Sequence, residues 1–240
     1  MEIKKNDKFV ITIEDMSEDG AGIGKLDGYI WFVKDALIGD VIEASAMKMK
    51  KNYGFARLVR VLEPAPGRVE AKCPVARACG GCQMQELDYA EQLKFKEKKV
   101  YNHLKRIGGM EEIPMEPIIG MEHPWRYRNK AQYPVSSQKG RVYAGFFRAG
   151  THSVVENDRC LILPEETDKV KSVVMDYVNH NHVSVYDEVA HTGLLRHIYV
   201  RRGAVSGQIL VCLVVNGRSV PKAHELVGRL KKIPGFTTLV

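Results

Sequence analysis

The chain has 240 residues, 45% hydrophobic and 27% charged, with 36 Lys and Arg against 29 Asp and Glu for a formal net charge of +7. That length suits one large domain or two small ones, and the composition excludes a disordered or fibrous polymer. The longest apolar run, Ile209 to Val215, is too short to cross a bilayer, and "MEIKKNDKFV" lacks the apolar core of a signal peptide. A cytoplasmic protein with reduced thiols and no membrane partner is therefore expected, and its basic balance points to an anionic partner.

Residues 1–62 read as short strands: "KFVITIED", "YIWFVKDAL", a break at Gly39-Asp40, "VIEASAMKMKK" and "GFARLVRVLEP". Strands of this length with turn signals between them predict a small OB-like β-barrel. "GAGIG" lacks the spacing of a nucleotide loop and leads into another strand, so it reads as a hairpin connection. "EPAPGR", Glu63 to Arg68, reads as a linker. A helix is predicted after Asp88, with Glu91 completing a capping box and Tyr89, Leu93, Val100, Leu104 and Ile107 on one face. Strands return after Trp125, and a helix follows Pro164. The apolar stretch Gln208 to Asn216 predicts a central strand buried on both faces. Ser219 is the expected cap of a last helix, and "FTTLV" begins a further strand. The expected organisation is α+β: a barrel over residues 1–62, then a second domain over residues 63–240.

"CPVARACGGCQMQ" places Cys73, Cys79 and Cys82 within ten residues, with Gly80 and Gly81 between the last two. Glycines there let backbone fold tightly and turn amides toward a bulky group. Of the two other cysteines, Cys212 falls inside the most apolar strand, where a thiol is a small hydrophobe. Cys160, in "ENDRCLILP", lies at a strand-to-helix junction and is the better fourth ligand. Zinc sites usually draw cysteines as two close pairs, whereas three crowded ligands and one remote one is a habit of iron–sulfur clusters. Zinc, or an incidental grouping, stays open on spacing alone.

At these residues the sequence resembles the RNA (uracil-5-)-methyltransferase family that modifies 23S ribosomal RNA. "CPVARACGGCQMQELDYAEQLKFK", "PWRYRNKAQYPV", "GFFRAGTHSVVENDRCLI", "LRHIYVRRG" and "ILVCLVVNG" carry the resemblance, in that order along the chain. It implies an N-terminal TRAM barrel, a central domain holding a [4Fe–4S] cluster on Cys73, Cys79, Cys82 and Cys160, and a Rossmann-like methyltransferase domain using S-adenosylmethionine. No motif for the methyl donor or the catalytic cysteine is recognised in these residues. The expectation is thus a chain that lacks the methyltransferase domain and is inactive alone, with no catalytic or S-adenosylmethionine-binding residue of its own.

The remaining role is to hold RNA, and no DNA; a monomer is expected. Lys48, Lys50, Lys51 and Arg57 offer charge to phosphates, with Tyr53 and Phe55 to stack on bases. "WRYRNKAQY" offers Trp125, Arg126, Arg128 and Lys130. The competing readings are a non-catalytic RNA-binding module and a ferredoxin-like electron carrier.

Overall fold

The computed structural model describes residues 3–240. They form two compact units, one running to Lys72 and resuming over Cys82–Gly120, the other made of Cys73–Gly81 and Met121–Val240.

The first unit is built on a closed five-stranded barrel: β1 (Lys8–Met16), β2 (Gly22–Leu26), β3 (Tyr29–Lys34), β4 (Val41–Met49) and β5 (Tyr53–Glu63). The strands run in the order β1-β2-β3-β5-β4. β4 closes on β1 antiparallel, and β3 and β5 are parallel. This is the arrangement expected of an OB barrel. Alternation drives it: Ile11, Ile13, Trp31, Val33, Ile42 and Ala44 point inward and are almost wholly buried, while Lys8, Thr12 and Lys34 face water.

The Gly39-Asp40 break is more than a turn. Asp40 is fully buried, and its carboxylate accepts hydrogen bonds from the Leu37 amide (2.8 Å), the Ala65 amide (2.9 Å) and the Arg68 guanidinium (Nη2 at 2.7 Å, Nε at 3.0 Å). Arg68 also donates to the Asp35 carbonyl and to Glu86. Residues Glu63 to Arg68, expected as a plain linker, are thus fastened to the barrel through a buried ion pair. Burial pushes the Asp40 carboxyl up. The Arg68 hydrogen bonds and the two amides outweigh it, so the group sits below its ordinary value.

α1 (Tyr89–Arg106) starts where the sequence placed it, with Asp88 accepting from the Ala90 amide at 3.0 Å. The reciprocal half of the expected capping box gives way to a pair between Glu91 and Lys94. The buried residue of α1 is Phe95, packed with Met16, Leu37 and Leu87. Val100 and Ile107, expected on the apolar face, are exposed: the helix docks by its first half, and its basic second half stays in water.

The second unit is a six-stranded sheet in the order β11-β10-β9-β6-β7-β8, from β6 (Lys130–Gln138), β7 (Arg141–Phe147), β8 (Val154–Glu156), β9 (Leu195–Arg202), β10 (Ile209–Val215) and β11 (Phe236–Leu239). Only β10 and β11 pair in parallel. α2 (Glu165–His180) and α3 (Ala223–Leu230) pack on one face, where Ala131, Tyr133, Ile198, Val200, Val211, Val174 and Leu226 form the core. β10 is therefore buried on one face only. Ile209, Val211 and Leu213 point inward, while Leu210, Cys212 and Val214 lie on the other side. That corrects the expectation of a strand covered on both faces, and Cys212 is half-buried rather than in the core. α3 begins at Ala223, not Ser219, because Lys222 takes a left-handed conformation at its cap.

Candidate nucleic-acid interface

The outward side of the barrel carries a cluster of aromatic rings. In β3 and β5, Phe32 lies opposite Phe55, Ile30 opposite Tyr53, and Lys34 opposite Arg57. Phe32, Tyr53 and Phe55 meet with centroids 5.6–5.7 Å apart. Tyr53 and Phe55 remain 39% and 41% exposed. Lys48, opposite Phe55 on β4, and Lys34 and Arg57 surround them. The turn bearing Lys50 and Lys51 is pinned by the Tyr29 hydroxyl, which donates to the Lys50 carbonyl at 2.7 Å. A contiguous cluster of partly exposed rings is the kind of apolar patch that binding surfaces present, which makes it the candidate surface of the barrel. Stacking on such rings is worth roughly 1–3 kcal/mol per base. Phe32 and Lys34 belong to this surface and were not among the residues singled out from sequence.

The segment around Trp125 divides. Arg126, in a left-handed conformation, donates to the carbonyls of Cys160 (2.9 Å) and Leu163 (2.7 Å) and pairs with Glu165. It braces the chain around Cys160, so most of the donors expected to reach RNA are engaged within the unit. Arg128 and Lys130 are exposed and Trp125 is half-buried. Lys130 stands opposite Arg201, and its ammonium lies 5.9 Å from the Tyr199 ring centre. Gln132 faces Tyr199 on the same sheet surface. The open face of the second unit therefore also joins cations to an aromatic ring.

The cysteine loop is wound in turns, with the Cys79 amide donating to the Val75 carbonyl at 2.8 Å. Gly80 is required there for close approach, since a Cβ would come within 2.9 Å of the Phe147 carbonyl oxygen and the Ala149 amide. Its amide bonds that same carbonyl, not a bound group. The Gly81 amide does donate to Cys79 Sγ, at 3.3 Å, as amides do toward thiolate sulfur. Cys160 sits between β8 and α2, as expected. Its amide donates to Asp168 at 3.2 Å, and Asp168 in turn accepts weakly from the buried Tyr133 hydroxyl at 3.4 Å. Burial, first of all, raises the Asp168 pKa and lowers that of Lys171. No disulfide joins the five cysteines. Among the described residues no three His, Cys, Asp or Glu side chains are gathered to hold a metal ion. The donor chemistry suits a thiolate-bound group, but the ligands are not assembled into a shell.

Residues 4–59 match the TRAM domain family. The chain is 43% identical over 239 residues to an uncharacterized RNA methyltransferase of Halalkalibacterium halodurans and 39% identical to one of Clostridium tetani, covering 99% of this chain and 52% of each relative. The chain thus spans about half the length of the curated relatives it matches, and its homologues are RNA methyltransferases. The crystal structure of Pyrococcus abyssi tRNA (uracil-54, C5)-methyltransferase in complex with S-adenosyl-L-homocysteine superposes with a TM-score of 0.65 at 24% identity, over 90% of this chain and 48% of that one. Two expectations are corrected by these matches. The chain was read as lacking the methyltransferase domain, yet nine-tenths of it superposes on part of a solved methyltransferase chain. The inactivity deduced from that absence loses its basis with it. Among the described residues, no helix is long and apolar enough to cross a membrane.

Proposed function

We propose that this chain holds a structured, uridine-bearing RNA for methyl transfer from S-adenosylmethionine to C5 of a uridine, with 23S ribosomal RNA as the substrate. The observation that carries the reading is the ring cluster Phe32, Tyr53 and Phe55, the last two exposed, set among Lys34, Lys48 and Arg57. Rings give base stacking without sequence demand, and the cations give phosphate attraction. Among the described residues none of these cations is held in an ion pair, so all of them are available to phosphate. The relatives' description as RNA methyltransferases supports the reaction class, and the TRAM match supports the role of the barrel.

Cys73, Cys79, Cys82 and Cys160 are the proposed ligands of a [4Fe–4S] cluster. A bound cluster would tie the cysteine loop to the segment between β8 and α2, and no step of the methyl transfer is assigned to it. The test of the function is incorporation of labelled methyl groups from S-adenosylmethionine into 23S ribosomal RNA and into transfer RNA, followed by nucleoside analysis. Label in 5-methyluridine from the ribosomal RNA is expected. Label confined to transfer RNA would move the substrate assignment, and label on another base would overturn the reaction.

A further inference from the structure

One cavity of about 270 Å³ lies wholly within the second unit and is unused by the surfaces above. Its walls come from β6 and the end of β7, from the start of β9, and from the turn segment around Tyr186. That segment runs beside β9, with the Tyr186 amide donating to the Leu195 carbonyl at 2.9 Å. Gly193 makes this possible. It has φ +91°, and a Cβ there would meet the Val185 carbonyl oxygen at 2.0 Å.

The lining has two parts. Flat groups form the walls: His152 stacks on Phe147 at 5.2 Å and 20°, and the Arg196 guanidinium covers the Tyr186 ring at 4.5 Å. Polar atoms form the floor. Arg196 Nε and His197 Nδ1 are both buried and have no hydrogen-bond partner among the described residues. Neither of these two atoms has surface open to the cavity, so a ligand there meets the remaining nitrogens of the two half-buried side chains that line it. The two acids at the rim are already engaged. Glu188 contacts His152 Nδ1 at 2.6 Å, and Asp187 accepts from the Val189 and Ala190 amides. Burial and the adjacent Arg196 hold the His197 pKa below its ordinary value, so the imidazole is neutral and offers one donor and one acceptor nitrogen.

A flat group with mixed donors and acceptors on its edge fits these walls and this floor. The volume is just below the roughly 300–1,000 Å³ of sites for drug-sized ligands, so it admits a single ring system rather than a run of nucleotides. The cavity also continues a nucleic-acid-like surface. His197 lies on the same face of β9 as Tyr199 and Arg201, which stand opposite Gln132 and Lys130. Resting on the RNA-binding reading above, the geometry points to a pocket for one unstacked nucleobase of the bound RNA. The base inserts between the two stacked walls, Tyr186 with Arg196 and Phe147 with His152, with its edge toward His197, while the strand follows Tyr199, Lys130 and Arg201. Single-stranded loop bases splayed onto aromatic side chains are how proteins usually read RNA sequence.

The test is a binding cycle. A fluorescein-labelled RNA hairpin is titrated by anisotropy, with each loop nucleotide replaced in turn by an abasic ribose, against the wild-type protein and the variants Tyr186→Ala, Tyr186→Phe and Arg196→Gln. One loop position should lose roughly 5- to 150-fold in affinity when its base is removed, the range for one stacked base. That loss should vanish in Tyr186→Ala and persist in Tyr186→Phe, which keeps the ring. Far-UV circular dichroism checks that each variant is folded, and a photo-reactive uridine at the sensitive position should cross-link to the Phe147 or Tyr186 peptide. If every abasic penalty is the same in wild type and Tyr186→Ala, or the cross-link maps only elsewhere, the proposal is overturned and the cavity is left to polypeptide. If the wild-type protein binds no RNA at all, the function proposed above fails first, a result distinct from the loss of the pocket alone.

Discussion

Replacing Asp40 with Ala strikes the barrel at its most constrained point. The substitution leaves the Leu37 and Ala65 amides without their acceptor and takes one of two carboxylate partners from the Arg68 guanidinium, whose side chain is only 12% exposed. Each orphaned amide costs roughly 1–3 kcal/mol, and breaking a buried pair by removing one partner costs about 3–5 kcal/mol. These overlap, since Glu86 and the Asp35 carbonyl still hold Arg68, so the expected loss is about 3–5 kcal/mol. The assay is urea unfolding followed by Trp31, buried in the barrel core, in a Trp125→Phe background where it is the only tryptophan. Removing Arg68 as well, by Arg68→Met, should cost little more than Asp40→Ala alone, because the under-paired charge goes with it. The pH dependence has a definite sign. The Asp40 pKa in the fold lies below its ordinary 3.8, so its contribution is complete above that value and is lost as pH falls through the folded-state value. Asp40→Asn should flatten this acid limb. A loss under about 1 kcal/mol in Asp40→Ala, or fully additive losses in the double variant, would refute the reasoning.

Three further outcomes are expected. Replacing Lys48, Lys50 and Lys51 together with Gln should lower the slope of log K against log salt by about 0.7–0.9 for each phosphate no longer neutralised; an unchanged slope would move phosphate binding to the sheet face around Lys130. Anaerobically purified protein should be brown and carry about four irons per chain. Cys160→Ser should lose that iron while Cys212→Ser retains it, and the reverse pattern by iron analysis and visible absorbance would refute the ligand assignment. Arg126→Ala should destabilise the second unit by about 1–3 kcal/mol in thermal unfolding, because the Cys160 and Leu163 carbonyls are deprived of a charged donor; an RNA-binding defect without loss of stability would return Arg126 to the interface.

Much of this architecture was written in local pattern. Short apolar runs such as "KFVITIED" between Gly and Asp turns made the barrel strands legible, and Asp88 announced the start of α1 from its own chemistry. What stayed hidden depended on partners distant in the chain. In "YIWFVK" five hydrophobic residues are consecutive, and only the register against β5 shows that Trp31 turns inward while Phe32 turns out toward Phe55. Asp40 and Arg68 lie 28 residues apart, so a turn residue and a linker residue each looked ordinary alone. "QILVCLVV" read as doubly buried because apolar composition cannot tell a covered face from an open one; α2 and α3 cover only one side of the sheet. The pocket draws residues from four separate stretches, and its unpartnered Arg196 and His197 atoms have no sequence signal.

The proposed RNA binding by the barrel rests on the ring cluster, and affinity measured across a salt series for wild type and the Phe32→Ala/Tyr53→Ala/Phe55→Ala variant tests it most directly. Stacking acts at short range between rings and bases, whereas phosphate attraction is a counterion effect, so the two separate cleanly. The expected result is a drop of at least about tenfold in affinity at every salt concentration, with the salt slope preserved and the barrel still folded by circular dichroism. Unchanged affinity in that folded variant would contradict the role of the rings.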